Sequence, residues 1–283
     1  MAESSFISFN GKLSSIGSFN LGLENRSFRY GDGLFESIRS RDGKMPFWDF
    51  HIQRLKSGLD ILGITYSHIN WNDLEKEAES LIENNEHTNS ARLRLTVFRT
   101  GAGNYFPESN EMSYCIESSE LNSKEFKLNE KGINADLYTR IKKPLNVLSM
   151  VKSANAQLFV MAAKFAQEKG LEDAFLVNTN NDLVEAVSSN LFIIKNNQVY
   201  TPALSTGCLP GIMRMVIISM LAKKNIKVSE TKISPSDLIL ADEIFLTNSI
   251  QGIQWVGGFQ TKRFYKKYSE IINNELNKIY LNS

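Results

Sequence analysis

The sequence predicts an α+β protein of two domains. Three observations carry that reading. Strands, then two helices, then more strands follow one another without the regular alternation of a parallel α/β fold. Hydrophobicity drops between Ser118 and Asn129, where Ser, Glu, Asn and Lys are interrupted only by Leu121, Phe126 and Leu128. A chain of 283 residues with 42% hydrophobic content can bury a large core, more readily in two domains than in one. The expected division is a smaller N-terminal α/β domain over 1–118, a linker over 119–129 and a larger C-terminal domain over 130–283.

The first half opens with short strands at 4–9 and 12–16 around Asn10-Gly11, a type I′ hairpin signal. Arg26-Ser-Phe-Arg-Tyr-Gly-Asp-Gly33 follows, its glycines permitting a tight bend, and Leu34 to Arg41 then alternates as a half-buried strand does. Asp42-Gly43 turns the chain back through Lys44 to Phe47. From Trp48 to Leu62, Phe50, Leu55, Leu59 and Leu62 fall at helical spacing, with Asp49 near the positive end of the helix dipole. A second helix over Trp71–Asn84 puts Leu74, Ala78, Leu81 and Ile82 on one face. Ala91 to Arg99 is a strand that sets Arg92 and Arg94 opposite Leu93 and Leu95. Arginines so placed can clamp a carboxylate, or simply face solvent as surface charges. A loop through Gly101, Gly103 and Pro107 leads to a last strand from Met112 to Glu117.

The second half begins with a strand from Ile133 to Tyr138 and the turn signal Lys143-Pro144. Leu148-Ser-Met-Val-Lys-Ser-Ala-Asn-Ala-Gln157 then passes into a helix that runs to Lys169, with Gly170 as its C-cap. Strands at Ala174–Asn178, Leu183–Val187 and Asn190–Lys195 are linked by asparagine-rich turns. A helix over Ile212–Ala222 and a strand over Glu243–Phe245 follow.

Charge and cysteine content exclude several classes. Lys plus Arg number 32 and Asp plus Glu 31, so neither a nucleic-acid footprint nor a polybasic membrane patch is indicated. Small molecules and copies of the chain itself are the expected partners. No basic leader with an apolar stretch opens the sequence and no window approaches a membrane span, which reads as a cytoplasmic protein. Cys115 and Cys208 are too far apart for a disulfide framework, His51, His68 and His87 are scattered, and no metal site is expected.

Lys152 is the residue around which the chemistry gathers. Walled by Val151, Ala154 and Ala156, a lysine loses hydration, which lowers its pKa towards a nucleophilic amine able to form a Schiff base with an aldehyde. Ser153, Ala154 and Ala156 leave room for a planar ring. The same stretch also suits a lysine that snorkels to water. Three features of the second half bear on the choice. Glu185 lies in an apolar strand, where a carboxylate needs a cation or a protonated ring nitrogen. Leu209-Pro-Gly-Ile-Met-Arg214 opens an apolar helix whose first amides form an anion site. Leu246-Thr-Asn-Ser-Ile250 puts hydroxyls and an amide at a strand end, another phosphate grip. Each feature alone also occurs as ordinary structure.

Together, Tyr30-Gly-Asp-Gly-Leu-Phe-Glu-Ser-Ile-Arg39, His51-Ile-Gln-Arg-Leu55, Lys152, Glu185 with Ala186-Val-Ser-Ser-Asn-Leu-Phe192, Leu209 to Arg214 and Thr247-Asn-Ser249 resemble the class IV, fold-type IV pyridoxal-phosphate enzymes. The resemblance implies a two-domain fold whose larger, C-terminal domain is a mixed α/β, barrel-like structure. It implies pyridoxal 5′-phosphate as cofactor and a homodimer, with the site where the two domains meet and a loop of the partner chain completing it. Lys152 then matches the lysine that links to the cofactor's aldehyde, and Glu185 the partner of its pyridine nitrogen. Arg54, the amides of Ile212 and Met213, and Asn248 with Ser249 match the phosphate cradle, with Ser189, Asn190, Leu209 and Gly211 among the cofactor contacts. Tyr30, Arg94 and Arg99 fall on the substrate side.

Two main reactions occur in that family, amino-group transfer and release of pyruvate from 4-amino-4-deoxychorismate to give 4-aminobenzoate for folate. The motifs here look more like the lyases. Branched-chain aminotransferases usually carry Gly-Thr-Ala where Asn248-Ser-Ile250 stands, and a tyrosine soon after the lysine where Asn155-Ala-Gln157 stands. D-amino-acid transaminases carry Arg-x-His where Arg92-Leu-Arg94 stands. Ser37 occupies a position where lyases tend to have a threonine able to relay a proton. The alternatives are a class IV aminotransferase of branched-chain or other amino acids and a silent cofactor-binding protein, against which the intact Lys152 and Glu185 argue.

Overall fold

The structure, a computed structural model, describes residues 6–282. The chain forms two compact units. The first runs up to Lys124 and takes in Val151–Ala156; the second comprises Glu125–Met150 and the chain from Gln157 onward. The Lys152 stretch is thus part of the first unit, although it follows the start of the second in sequence.

The first unit is a five-stranded antiparallel sheet in the order β2-β1-β5-β4-β3, from β1 (Phe6–Phe9), β2 (Lys12–Ser15), β3 (Gly33–Arg41), β4 (Ser90–Arg99) and β5 (Met112–Glu120). Asn10 and Gly11 turn the first hairpin with φ of 47° and 79°, the left-handed pair that a type I′ turn needs. Ser4 and Ser5, expected in that strand, lie outside the described residues. A short helix, α1 (Arg26–Tyr30), precedes β3, its N-terminus capped by the Asn25 side chain accepting from the Phe28 amide. The helices α2 (Trp48–Leu62) and α3 (Trp71–Asn84) bury one sheet face around Leu34, Ile38, Leu93, Leu95, Leu55, Leu59 and Leu81. On α2 the buried face carries Trp48, His51, Ile52, Leu55 and Leu59, whereas Phe50 is 41% exposed, contrary to the helical spacing expected. The opposite sheet face, by strand alternation, carries Phe35, Ser37, Arg39 and, across from them, Thr96, Arg94 and Arg92.

The second unit is a nine-stranded mixed sheet with four helices. Its strands are β6 (Ile133–Lys143), β7 (Asp173–Asn178), β8 (Leu183–Ala186), β9 (Asn190–Lys195), β10 (Gln198–Pro202), β11 (Val228–Thr231), β12 (Glu243–Asn248), β13 (Gly252–Phe259) and β14 (Lys262–Arg263). They run in the order β11-β10-β9-β12-β13-β6-β7-β8, with β14 beside β13. The pairs β10–β11, β13–β6 and β6–β7 are parallel and the rest antiparallel, and β8 also touches β9 and β10, which curls the sheet. The helices are α4 (Gln157–Glu168), α5 (Ile212–Lys223), α6 (Pro235–Leu240) and α7 (Tyr268–Leu281). Near-continuous burial of β7, β8, β9 and β12 reflects helices and sheet on both sides. Among the described residues no helix is long and apolar enough to cross a membrane, and no cluster of His, Cys, Asp and Glu could hold a metal ion.

Candidate active site

In the first unit, Gly31 of Tyr30-Gly-Asp-Gly33 makes room for the segment that carries Lys152, and Gly33 for the neighbouring strand β4. Gly31 ends α1 at φ +63°, and a Cβ there would stand 3.1 Å from the Asn155 amide nitrogen. A Cβ on Gly33 would meet the Val97 carbonyl oxygen at 2.4 Å. Val151–Ala156 then runs beside the start of β3. The Phe35 amide donates to the Lys152 carbonyl at 3.1 Å, and the Ala154 amide to the Gly33 carbonyl at 2.8 Å. Lys152 is therefore fixed by backbone pairing in an extended segment ahead of α4, and its side chain is half-buried.

That pairing aims the lysine at one aromatic ring. Lys152 Nζ lies 4.2 Å from the centre of Phe35, and Arg94 Cζ lies 4.0 Å from the same centre. Ser37, next on this strand face, stands directly across from Arg94. The expected Lys152, Ser37 and Arg94 are thus brought together around Phe35, which the same alternation that turns Ser37 outward also turns outward. Arg94 Nε donates to Thr96 Oγ1 at 3.2 Å. Burial holds the Arg94 guanidinium below its usual range, and Arg92 adds to the effect while Glu117 opposes it. Two cations on one half-buried ring make this face a place for an anion. Tyr30 is half-buried, its ring 5.5 Å from that of Tyr105.

Two expected ligands, Arg99 and Arg54, are held by partners within the first unit. Arg99 donates through Nε to Asp32 at 3.0 Å, through Nη2 to the Leu62 carbonyl at 2.7 Å, and through Nη1 to the Gly63 carbonyl at 3.1 Å and to Asn110. Its fork closes the C-terminus of α2 against Asp32, with all three guanidinium nitrogens engaged within the first unit. The same Asp32 oxygen, Oδ2, also accepts from Arg26 Nε at 2.8 Å, so the acidic member of the Gly-Asp-Gly motif joins two arginines. Arg54 donates through Nε to Glu36 Oε1 at 2.8 Å and through Nη2 to Oε2, so these two nitrogens are oriented by a buried carboxylate. His51 Nδ1 meets the same carboxylate at 2.7 Å. Burial alone would raise Glu36, but Arg54 and His51 outweigh it and hold the carboxyl at about 2. Burial also pushes His51 below its ordinary value, with Lys152 and Arg54 helping and Glu36 opposing. Glu36 was legible on the same grounds as Glu185, a carboxylate amid an apolar strand.

In the second unit, Glu185 is buried in β8. Its Oε1 accepts from Lys143 Nζ and its Oε2 from the Leu209 amide at 2.9 Å. Gly211 is the N-cap of α5, with Pro210 just ahead of the helix and not in its first turn. A Cβ on Gly211 would fall 1.7 Å from Asn190 Oδ1, and Asn190 Nδ2 donates to the Leu209 carbonyl at 2.8 Å. Asn190 therefore locks the loop that sets the amides of Ile212 and Met213 at the helix start. Asn248 Nδ2 donates to Ser189 Oγ at 3.0 Å, and Asn248 Oδ1 accepts from the amides of Ile250 and Gln251, shaping the turn that holds Ser249. Thr247, in register with Asn190, has a buried Oγ1 with no hydrogen-bond partner. Glu185, Asn190 and Gly211 are thus joined through Leu209, and Asn248 is joined to Ser189, whereas Lys152, Ser37, Arg54, Tyr30, Arg94 and Arg99 belong to the first unit.

The chain is similar to known proteins along most of its length. It is 28% identical over 241 residues to an aminodeoxychorismate lyase of Vibrio harveyi, covering 83% of this chain and 86% of that protein. It is 31% identical over 248 residues to a putative branched-chain-amino-acid aminotransferase of Methanocaldococcus jannaschii, covering 86% and 84%. A solved structure of a putative 4-amino-4-deoxychorismate lyase from Legionella pneumophila superposes with a TM-score of 0.83 at 26% identity, over 93% of this chain and 96% of that one. Relatives of different activity at nearly equal identity establish the fold and the family and leave the reaction to the residues of the site. The profile described as amino-transferase class IV matches residues 33–257, and the chain belongs to that family.

Proposed function

We propose that this class IV enzyme is a 4-amino-4-deoxychorismate lyase that uses pyridoxal 5′-phosphate and releases pyruvate and 4-aminobenzoate. The observation that carries the reading is the meeting of Lys152, Arg94 and Ser37 around Phe35: an amine, a carboxylate-binding cation and a hydroxyl on one strand face. An amine beside an anion site suits a substrate bearing both an amino and a carboxyl group. The hydroxyl favours the lyase, because lyases of this family tend to carry one at that position.

The residues present fit the cofactor. Thr247 Oγ1 is buried without a partner, the first amides of α5 follow a glycine that admits no side chain, and Glu185 is a buried acceptor for a ring N–H. When bound, pyridoxal 5′-phosphate supplies the electron sink. Lys152 would hold it through its amine, and as a free amine would take and return protons. Ile212 and Met213 amides, Ser249 and Asn248 hold the phosphate, with Arg54 oriented for that task by Glu36. Arg94 would fix a substrate carboxylate, Tyr30 would border the substrate, and the Ser37 hydroxyl would relay a proton after pyruvate leaves. A homodimer is the working assembly.

The alternative is amino-group transfer, which the resemblance to the Methanocaldococcus jannaschii protein favours. Purified protein given aminodeoxychorismate alone is expected to yield 4-aminobenzoate and pyruvate. Turnover only of amino acids with 2-oxoglutarate would replace the lyase reading by the transaminase one.

A further inference from the structure

Glu185 has a partner that the sequence does not announce. Lys143, the last residue of β6, is buried, and its ammonium binds Glu185 Oε1 while the Leu209 amide binds Oε2. Its Nζ also lies 5.7 Å from the centre of the Phe159 ring. The β6–β7 ladder slips register between Tyr138 and Lys143, and Lys143 resumes the pairing opposite Asn178. A lysine and a glutamate this deeply placed are rare, and such a pair is seldom the most stabilising choice for a core. A role in function is the simpler account.

We propose that Lys143 is a positioning residue that shares Glu185 with the cofactor's ring nitrogen and so limits how tightly the protonated ring is held. The inference rests on Glu185 facing that nitrogen. Without cofactor, Lys143 balances the buried carboxylate. When the ring N–H arrives, the same carboxylate serves two cationic donors, which repel one another. Binding of the ring and the Lys143 contact are therefore negatively coupled, and by linkage the removal of one strengthens the other.

The test uses the full-length chain, stripped of cofactor and then titrated with pyridoxal 5′-phosphate, as wild type, Lys143→Met, Lys143→Arg, Glu185→Gln and Lys143→Met/Glu185→Gln. Lys143→Met is expected to melt at a lower temperature without cofactor, and adding Glu185→Gln in that background is expected to recover part of the loss. Cofactor should raise the melting temperature of Lys143→Met by more than it raises that of wild type. Its Kd should fall on the order of five- to tenfold, and Lys143→Arg should restore the wild-type Kd. A merely structural lysine would lower stability without tightening the cofactor. Additive melting shifts, or a Kd unchanged or weakened in Lys143→Met, would overturn the proposal. A wild type that binds no pyridoxal 5′-phosphate while the melting coupling persists would overturn the proposed function and the shared-carboxylate role, but support the Lys143–Glu185 charge pair itself.

Discussion

Replacing Glu36 by glutamine tests the internal support of the first unit. The carboxyl is held at about 2 against an ordinary 4.5, which corresponds to on the order of 3 kcal/mol of stability at neutral pH. Removing one member of a buried charge pair costs about 3 to 5 kcal/mol by mutational experience, and Arg54 is only 11% exposed, so the two routes agree. The sign follows from the depressed carboxyl. Its contribution is complete above about 4.5 and is lost as pH falls towards about 2. His51, depressed as well, adds an acid-side loss that begins nearer 6.5. Urea unfolding followed by tryptophan fluorescence should show the Glu36→Gln midpoint about 1 to 3 M below wild type at pH 7. The gap should shrink as pH is lowered through 4. A loss below about 1 kcal/mol at pH 7, or a gap constant with pH, would refute the assignment of Glu36 as the charged anchor of Arg54 and His51.

Borohydride reduction of the loaded enzyme followed by peptide mapping is expected to tag Lys152; a tag on any other lysine removes it from its role. Arg94→Ala should raise KM by about tenfold to a hundredfold, roughly 1.5 to 3 kcal/mol, while cofactor affinity changes little. Arg99→Met should do the reverse, lowering stability by about 2 to 3 kcal/mol through the stranded carbonyls of Leu62 and Gly63, and an intact melting temperature with lost substrate binding would return Arg99 to the substrate side. Sedimentation at micromolar concentration should find twice the 32.0 kDa chain mass, and a fully active single chain would exclude the dimer.

The helices Trp48–Leu62 and Trp71–Asn84 were legible to both ends, because their apolar residues repeat at helical spacing over several turns. The face of the first was not. His51 counts as surface in such a pattern, yet Glu36 draws it inside, which rotates the buried stripe towards Ile52 and leaves Phe50 outside. Lys143-Pro144 reads as a turn because proline ends ladders, but the strand continues through Lys143 and stops only at the proline. Beyond Ile250, β13 and α7 went unread. The face of β3 and β4 that carries Ser37 and Arg94 was half legible: alternation puts these two on one side, while the close approach of Lys152 to Phe35 depends on pairing between residues far apart in sequence. Arg99 and Arg54 show the limit, since a sequence states that a guanidinium exists and not which oxygens hold it.

The return of Val151–Ala156 to the first unit sets an order of events during synthesis. A ribosome makes β3 long before the segment that pairs with it, and β6 is made in between. The edge strand β3 must wait for that late segment before the Phe35 amide and the Gly33 carbonyl find their partners, a long-range closure that slows folding. Neither unit can be cut out as one uninterrupted fragment. A chain interrupted near Lys124 lacks Lys152, the amine proposed to hold the cofactor, so that group is added only after all five strands of the first sheet have been made.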